Sequence, residues 1–98
     1  MGQYYVSGYV NEPESFNFEK HDISRDSIKG LEAGTVGEFI HNDVDIDLEI
    51  SEGGRLCFSA ILESDTEDNA IAQVIETMET EVSIMYSCKQ ETLSPDGN

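Results

Sequence analysis

The sequence predicts a small single domain of the α+β class, an antiparallel β-sheet packed against one strong and one weaker helix. Three observations carry that expectation. From Asp43 to Ile50 acidic and apolar residues alternate strictly, the two-residue period of a half-buried strand. Glu52-Gly53-Gly54 follows as a turn signal, and apolar residues return at Leu56, Phe58, Ala60 and Leu62, so the stretch reads as a hairpin. Finally Ala70, Ile71, Val74, Ile75 and Met78 recur at helical spacing and make one apolar stripe.

Taken in order, Gln3 to Val10 is rich in aromatic and β-branched residues and reads as a strand. Asn11-Glu12-Pro13-Glu14 is turn chemistry, and Phe16 to Glu19 alternates briefly as a short second strand. Ser24 to Ala33 is the weaker helix, with Ser24 as N-cap, Ile28 and Leu31 facing inward and Gly34 as its stop. Thr35 to Ile40 reads equally as a strand or as a continuation of that helix, and in either case Val36, Phe39 and Ile40 are expected to be at least partly buried.

The hairpin admits two registers. A two-residue loop at Gly53-Gly54 would put charged residues opposite apolar ones. A three-residue loop, Glu52 to Gly54, pairs Ile50 with Leu56, Leu48 with Phe58, Ile46 with Ala60 and Val44 with Leu62. It keeps one face wholly apolar, and a one-residue slip would invert that face. The three-residue loop is therefore expected.

Beyond it, Ser64-Asp65-Thr66-Glu67 fits a capping box at the start of the strong helix. Glu76, Glu79 and Glu81 gather near that helix's negative end, where anions are disfavoured by roughly 0.3–1 kcal/mol each. Val82 to Lys89 alternates again as a strand. Residues 1–90 form the domain, and residues 91–98, with Pro95 and Gly97, read as a disordered tail. The succession is compatible with a ferredoxin-like βαββαβ arrangement. The alternative is an antiparallel meander on the one good helix, with Phe16–Phe18 and Thr35–Ile40 as extra strands.

Charge sets the functional expectation. Twenty-one Asp and Glu face five Lys and Arg, for a net charge of −16 in 98 residues. Self-repulsion at that density opposes folding at low salt, and the chain would be repelled by nucleic acid and by anionic membrane surfaces. No apolar run is long enough to span a bilayer, and no basic start leads into an apolar leader segment. Cys57 and Cys88 fall in no metal or redox spacing, so buried free thiols, core residues and not nucleophiles, in a reducing cytoplasm are expected. Between Gly30 and Cys88 the only Lys or Arg is Arg55, against fourteen acids. Basic surfaces are the natural partners.

Catalytic and metal chemistries find little support. Asp43-x-Asp45-x-Asp47 resembles the start of a calcium loop, but Leu48 and Gly54 stand where that loop needs Gly and Glu. His21 and His41 have no third ligand at a metal-binding spacing, and Ser, His and Asp occur in no nucleophile motif. Neither cofactor nor metal is expected.

What remains is the row itself. On a strand, Asp43, Asp45, Asp47 and Glu49 share one face at a spacing of roughly 6.7 Å. Neighbouring phosphates along a nucleic-acid strand are a comparable distance apart, on the order of twice the 3.4 Å axial rise. The expected function is that of a non-enzymatic acidic inhibitor. It would block the nucleic-acid-binding groove of a basic protein, with Asp43, Asp45, Asp47 and Glu49 on the hairpin and Glu76, Glu79 and Glu81 at the helix end as phosphate mimics. In size and charge the chain resembles small viral and mobile-element proteins that block restriction or CRISPR nucleases. That likeness is of composition and not of motif. The alternatives are an immunity protein against a nuclease toxin and a small ferredoxin-like regulatory ligand-binding domain. Apolar anchors are required beside the charges, with Phe39, Ile61, Met85 or an N-terminal tyrosine as candidates.

Overall fold

The computed structural model describes residues 2–24 and 32–90. Among the described residues five strands, β1 (Gly2–Val10), β2 (Gly34–His41), β3 (Val44–Ile50), β4 (Leu56–Ser64) and β5 (Val82–Gln90), form one sheet with a single helix, α1 (Glu67–Met78), between β4 and β5. The sheet order is β2-β3-β4-β1-β5 and every neighbouring pair is antiparallel. The domain is thus α+β, but the described residues run β-β-β-β-α-β and not βαββαβ. Between β1 and β2 they carry two 3-10 turns, Pro13–Ser15 and Glu19–His21. The weak helix expected over residues 24–33 lies for the most part outside the described residues, as does the tail 91–98.

The alternation at β3 is realised residue by residue. Val44, Ile46, Leu48 and Ile50 are buried, and Asp45, Asp47 and Glu49 are exposed. Ile50 pairs with Leu56, Leu48 with Phe58 and Ile46 with Ala60. The Ser51 N–H donates to the Arg55 carbonyl at 2.9 Å, which closes the three-residue loop at Gly54. Gly54 has φ +79°, the left-handed position such a loop needs. β2 joins β3 through Asn42-Asp43, whose φ values of 52° and 63° belong to a tight two-residue hairpin.

The even-numbered positions of β1, β3 and β4 face a core closed by Ala70, Val74 and Met78 of α1. Beside the helix, Phe16, Phe18 and Ile23 cover the rest of that face, and Phe39 reaches them from β2. Phe16 and Phe18 do point inward together, as alternation would have them, but from a backbone that turns and joins no strand. Phe16 meets Phe18 edge-on with centroids 4.8 Å apart, and His21 stacks on Phe39 at 3.8 Å. Three side-chain ties fasten this segment to the far end of α1. Ser15 shares a hydrogen bond with Thr80, Lys20 pairs with Glu79, and Asn11 Nδ2 donates to Glu81 at 3.1 Å.

Two further expectations are corrected. The N-cap of α1 is Thr66, not Ser64: its hydroxyl accepts from the Asn69 N–H at 3.1 Å. Ser64 is instead the last residue of β4, buried and paired with Gly2. Ile40, expected to be at least partly buried, is 73 % exposed. Once residues 34–41 form a strand, Phe39 takes the core side and its neighbour must take the other.

Candidate acidic interface

α1 and the 3-10 segment cover one face of the sheet, and among the described residues no element covers the other. Cross-strand pairing arranges that open face in rungs. Thr35 lies opposite Glu49, then Cys57, Tyr9 and Ser83; Glu38 lies opposite Asp47, then Ser59, Ser7 and Tyr86; Ile40 lies opposite Asp45, then Ile61, Tyr5 and Cys88. The β2–β3 half is therefore acidic, and the β4–β1–β5 half is aromatic, apolar and thiol-bearing. Cys57 and Cys88, expected in the core, are only partly buried, because strand pairing sets them on this face.

Asp45, Asp47 and Glu49 stand on this face as a row, all exposed. Glu38 joins them directly across from Asp47, and like charges facing each other across strands destabilise a sheet. Among the described residues no ion pair or hydrogen bond reaches the carboxylates of Asp45, Asp47 or Glu49. Arg55 lies over the Tyr9 ring with its guanidinium carbon 4.1 Å from the centroid. Asp43 is adjacent but off the row, because its left-handed backbone places it in the β2–β3 turn and not in the strand.

The helix-end acids are elsewhere. α1 packs on the core face, so Glu76 and the C-cap residue Glu79 lie on the opposite side of the sheet from Asp45, Asp47 and Glu49. Glu81 instead bonds Asn11, which also accepts from Ser83 of the open-face rungs, and stands at the β5 edge with β4 and β1 between it and the row. Glu79 holds the 3-10 segment through Lys20, and Glu81 accepts from Asn11 at the end of β1. The hydrogen bond from Lys20 holds the Glu79 carboxyl below its ordinary pKa. Glu76 and Glu79 cannot meet one flat partner surface together with Asp45, Asp47 and Glu49.

Glu38 was not anticipated because residues 35–40 carried no decisive period. The Asn42-Asp43 dipeptide was the available signal, since Asn and Asp tolerate the left-handed turn between two alternating runs. Of the expected anchors, Phe39 is buried in the core, while Ile61, Met85 and Tyr5 border the open face. Among the described residues no group of three or more His, Cys, Asp or Glu has the placement to hold a metal ion, and no helix is long and apolar enough to cross a membrane.

Fold and site together define an acidic α+β domain with one sheet face that no element covers among the described residues. The chain matches no protein-family model, no curated protein and no solved structure with which it was compared.

Proposed function

We propose that this protein is a non-enzymatic inhibitor that presents its open sheet face to the nucleic-acid-binding groove of a basic protein, its carboxylates standing in for phosphates. One observation carries the reading. Asp45, Asp47 and Glu49 project from the open face of one strand, exposed and without a cationic partner among the described residues, with Glu38 set against Asp47. Folding gains nothing from such a row, since each pair repels. A groove lined with Lys and Arg gains from it twice, through faster encounter and through charge-assisted hydrogen bonds. The surface involved is narrower than the whole acidic complement: it comprises Glu38, Asp45, Asp47 and Glu49, with Asp43 at its end, and it leaves out Glu76, Glu79 and Glu81. The target is a host nuclease or CRISPR-type effector, and the site of action is the cytoplasm that holds it.

Affinity capture on the immobilised protein from a bacterial lysate, read by mass spectrometry, tests this. The captured proteins should be nucleic-acid-binding, and added duplex DNA or RNA should release them. Retention of proteins with no nucleic-acid-binding groove, undisturbed by excess oligonucleotide, would rule the proposal out. Capture of a secreted nuclease toxin would favour the immunity-protein alternative.

A further inference from the structure

Exposed apolar bulk on this chain is concentrated. Ile40, Ile61, Met85 and Tyr86 are 73, 40, 70 and 56 % exposed, and all four border the open sheet face. Among the described residues only Ile75, on α1, is a comparable case elsewhere. Scattered apolar residues need no explanation, whereas a contiguous patch rimmed by polar groups marks an interaction site.

The patch is also built firmly. Tyr5 and Tyr86 lie with ring centroids 6.0 Å apart, tilted at 57°, and the Tyr5 hydroxyl donates to Ser59 Oγ at 3.2 Å. Beside them the β1–β5 register skips a residue between Ser7 and Gly8, leaving Met85 as the extra, unpaired one. Gly8 permits this: a Cβ there would lie 2.0 Å from the Ser83 carbonyl oxygen, so the strands approach too closely for any side chain. The bulge sets Met85 beside Tyr5 and Tyr86, and the three line one shallow depression with Cys57. Glu49 and Ser59 close its edge, and the same two residues help to line the neighbouring depression that holds Glu38 and Asp47. The aromatic half and the acidic half are one continuous surface.

We infer that the Tyr5–Met85–Tyr86 depression is the anchoring half of the docking face, and that its occupant is a segment of a basic partner protein in which a large apolar side chain neighbours an Arg or Lys. The cation would meet Asp47 and Glu49 while the apolar side chain covers the rings and the thioether. The inference rests on the function proposed above and specifies what that function's target must present. Exposed charges contribute little affinity singly, and aromatic anchors in partly desolvated pockets contribute most of it. A second copy of this chain is disfavoured as occupant, because it would bring another net charge of −16 against the same carboxylates. Nucleic-acid bases could stack on the tyrosines, but their phosphates would then face Asp47 and Glu49.

The test uses the full chain and two synthetic decapeptides of equal charge, one alternating Arg with Leu and one alternating Arg with Ser, followed by NMR and calorimetry at low salt. Both should shift the Asp47 and Glu49 amides. The Arg-Leu peptide should bind at least tenfold more tightly and also shift Tyr5, the Met85 methyl and Tyr86. Met85→Ser with Tyr86→Ser, both at exposed positions, should remove the tenfold advantage and leave Arg-Ser binding unchanged, with the fold retained and the melting temperature lowered only by the lost Tyr5–Tyr86 ring contact. Equal affinity for the two peptides, or an advantage that survives the double substitution, overturns the anchor while leaving the acidic row standing. Failure of both peptides to bind overturns the anchor and the acidic row together. Concentration-dependent self-association abolished by the double substitution would make a second copy the occupant and overturn the inference likewise.

Discussion

Along β3, adjacent residues answer to opposite physical demands. Ile46 and Leu48 are 0 and 1 % exposed, so truncating either to Ala should cost about 2–5 kcal/mol, read as a shift in the denaturant midpoint. The acids between them should tolerate neutralisation. Thr77 offers the converse case: its hydroxyl is fully buried in α1 and has no hydrogen-bond partner among the described residues. Thr77→Val should therefore raise stability by about 1 kcal/mol, because an unsatisfied buried hydroxyl carries its desolvation cost without return. His21 makes stability depend on pH. Burial, then His41, then Lys20 hold its pKa below 6.5, against the opposing pull of Glu79 and Asp22. The unfolded chain thus binds the proton more readily than the folded one. The stability contributed by neutral His21 is present above pH 6.5 and is lost as pH falls from there through the lower folded value. His21→Phe, which keeps the stack on Phe39, should flatten the decline in unfolding free energy between pH 7.5 and 5.5; an unchanged decline would place its origin in other groups.

At the scale of elements, turns and caps decide what periodicity leaves open. The β3–β4 hairpin was legible in full, because only one register kept Ile46, Leu48, Ala60 and Phe58 on a common face. β2 was not, since Thr35 to Ile40 is interrupted at Gly37 and the sheet shows a register shift there. The start of α1 was two residues off for a related reason. Ser64 and Thr66 are equally good caps in sequence, and only the pairing of Ser64 with Gly2 assigns the first to the sheet. Thr66→Ala should accordingly cost about 1 kcal/mol. The acids at the helix end looked misplaced from the dipole alone, and for Glu79 and Glu81 the reason lay in distant residues. Lys20 and Asn11 meet them only after the chain has folded back, a contact that no local pattern reveals. The candidate site divides in the same way: Asp45, Asp47 and Glu49 could be read from alternation, whereas Glu38, Tyr5 and Tyr86 joined them only through strand order.

For the whole molecule the governing quantity is a net charge of −16, much of it without compensation among the described residues. Raising ionic strength from low to moderate should raise the melting temperature, because screening relieves repulsion between exposed carboxylates over roughly a 10 Å range at 0.1 M salt. A flat or falling curve would mean that the fold already compensates its charges.

The acidic row itself is tested most directly by Asp45→Asn, Asp47→Asn and Glu49→Gln combined, which removes three charges while preserving shape. The variant should melt at the same temperature or slightly higher, since those carboxylates repel one another. Its binding to the captured basic partner should weaken mainly through slower association, with a shallower dependence on salt. A variant that is folded and binds with undiminished rate and unchanged salt dependence would contradict phosphate mimicry by this face.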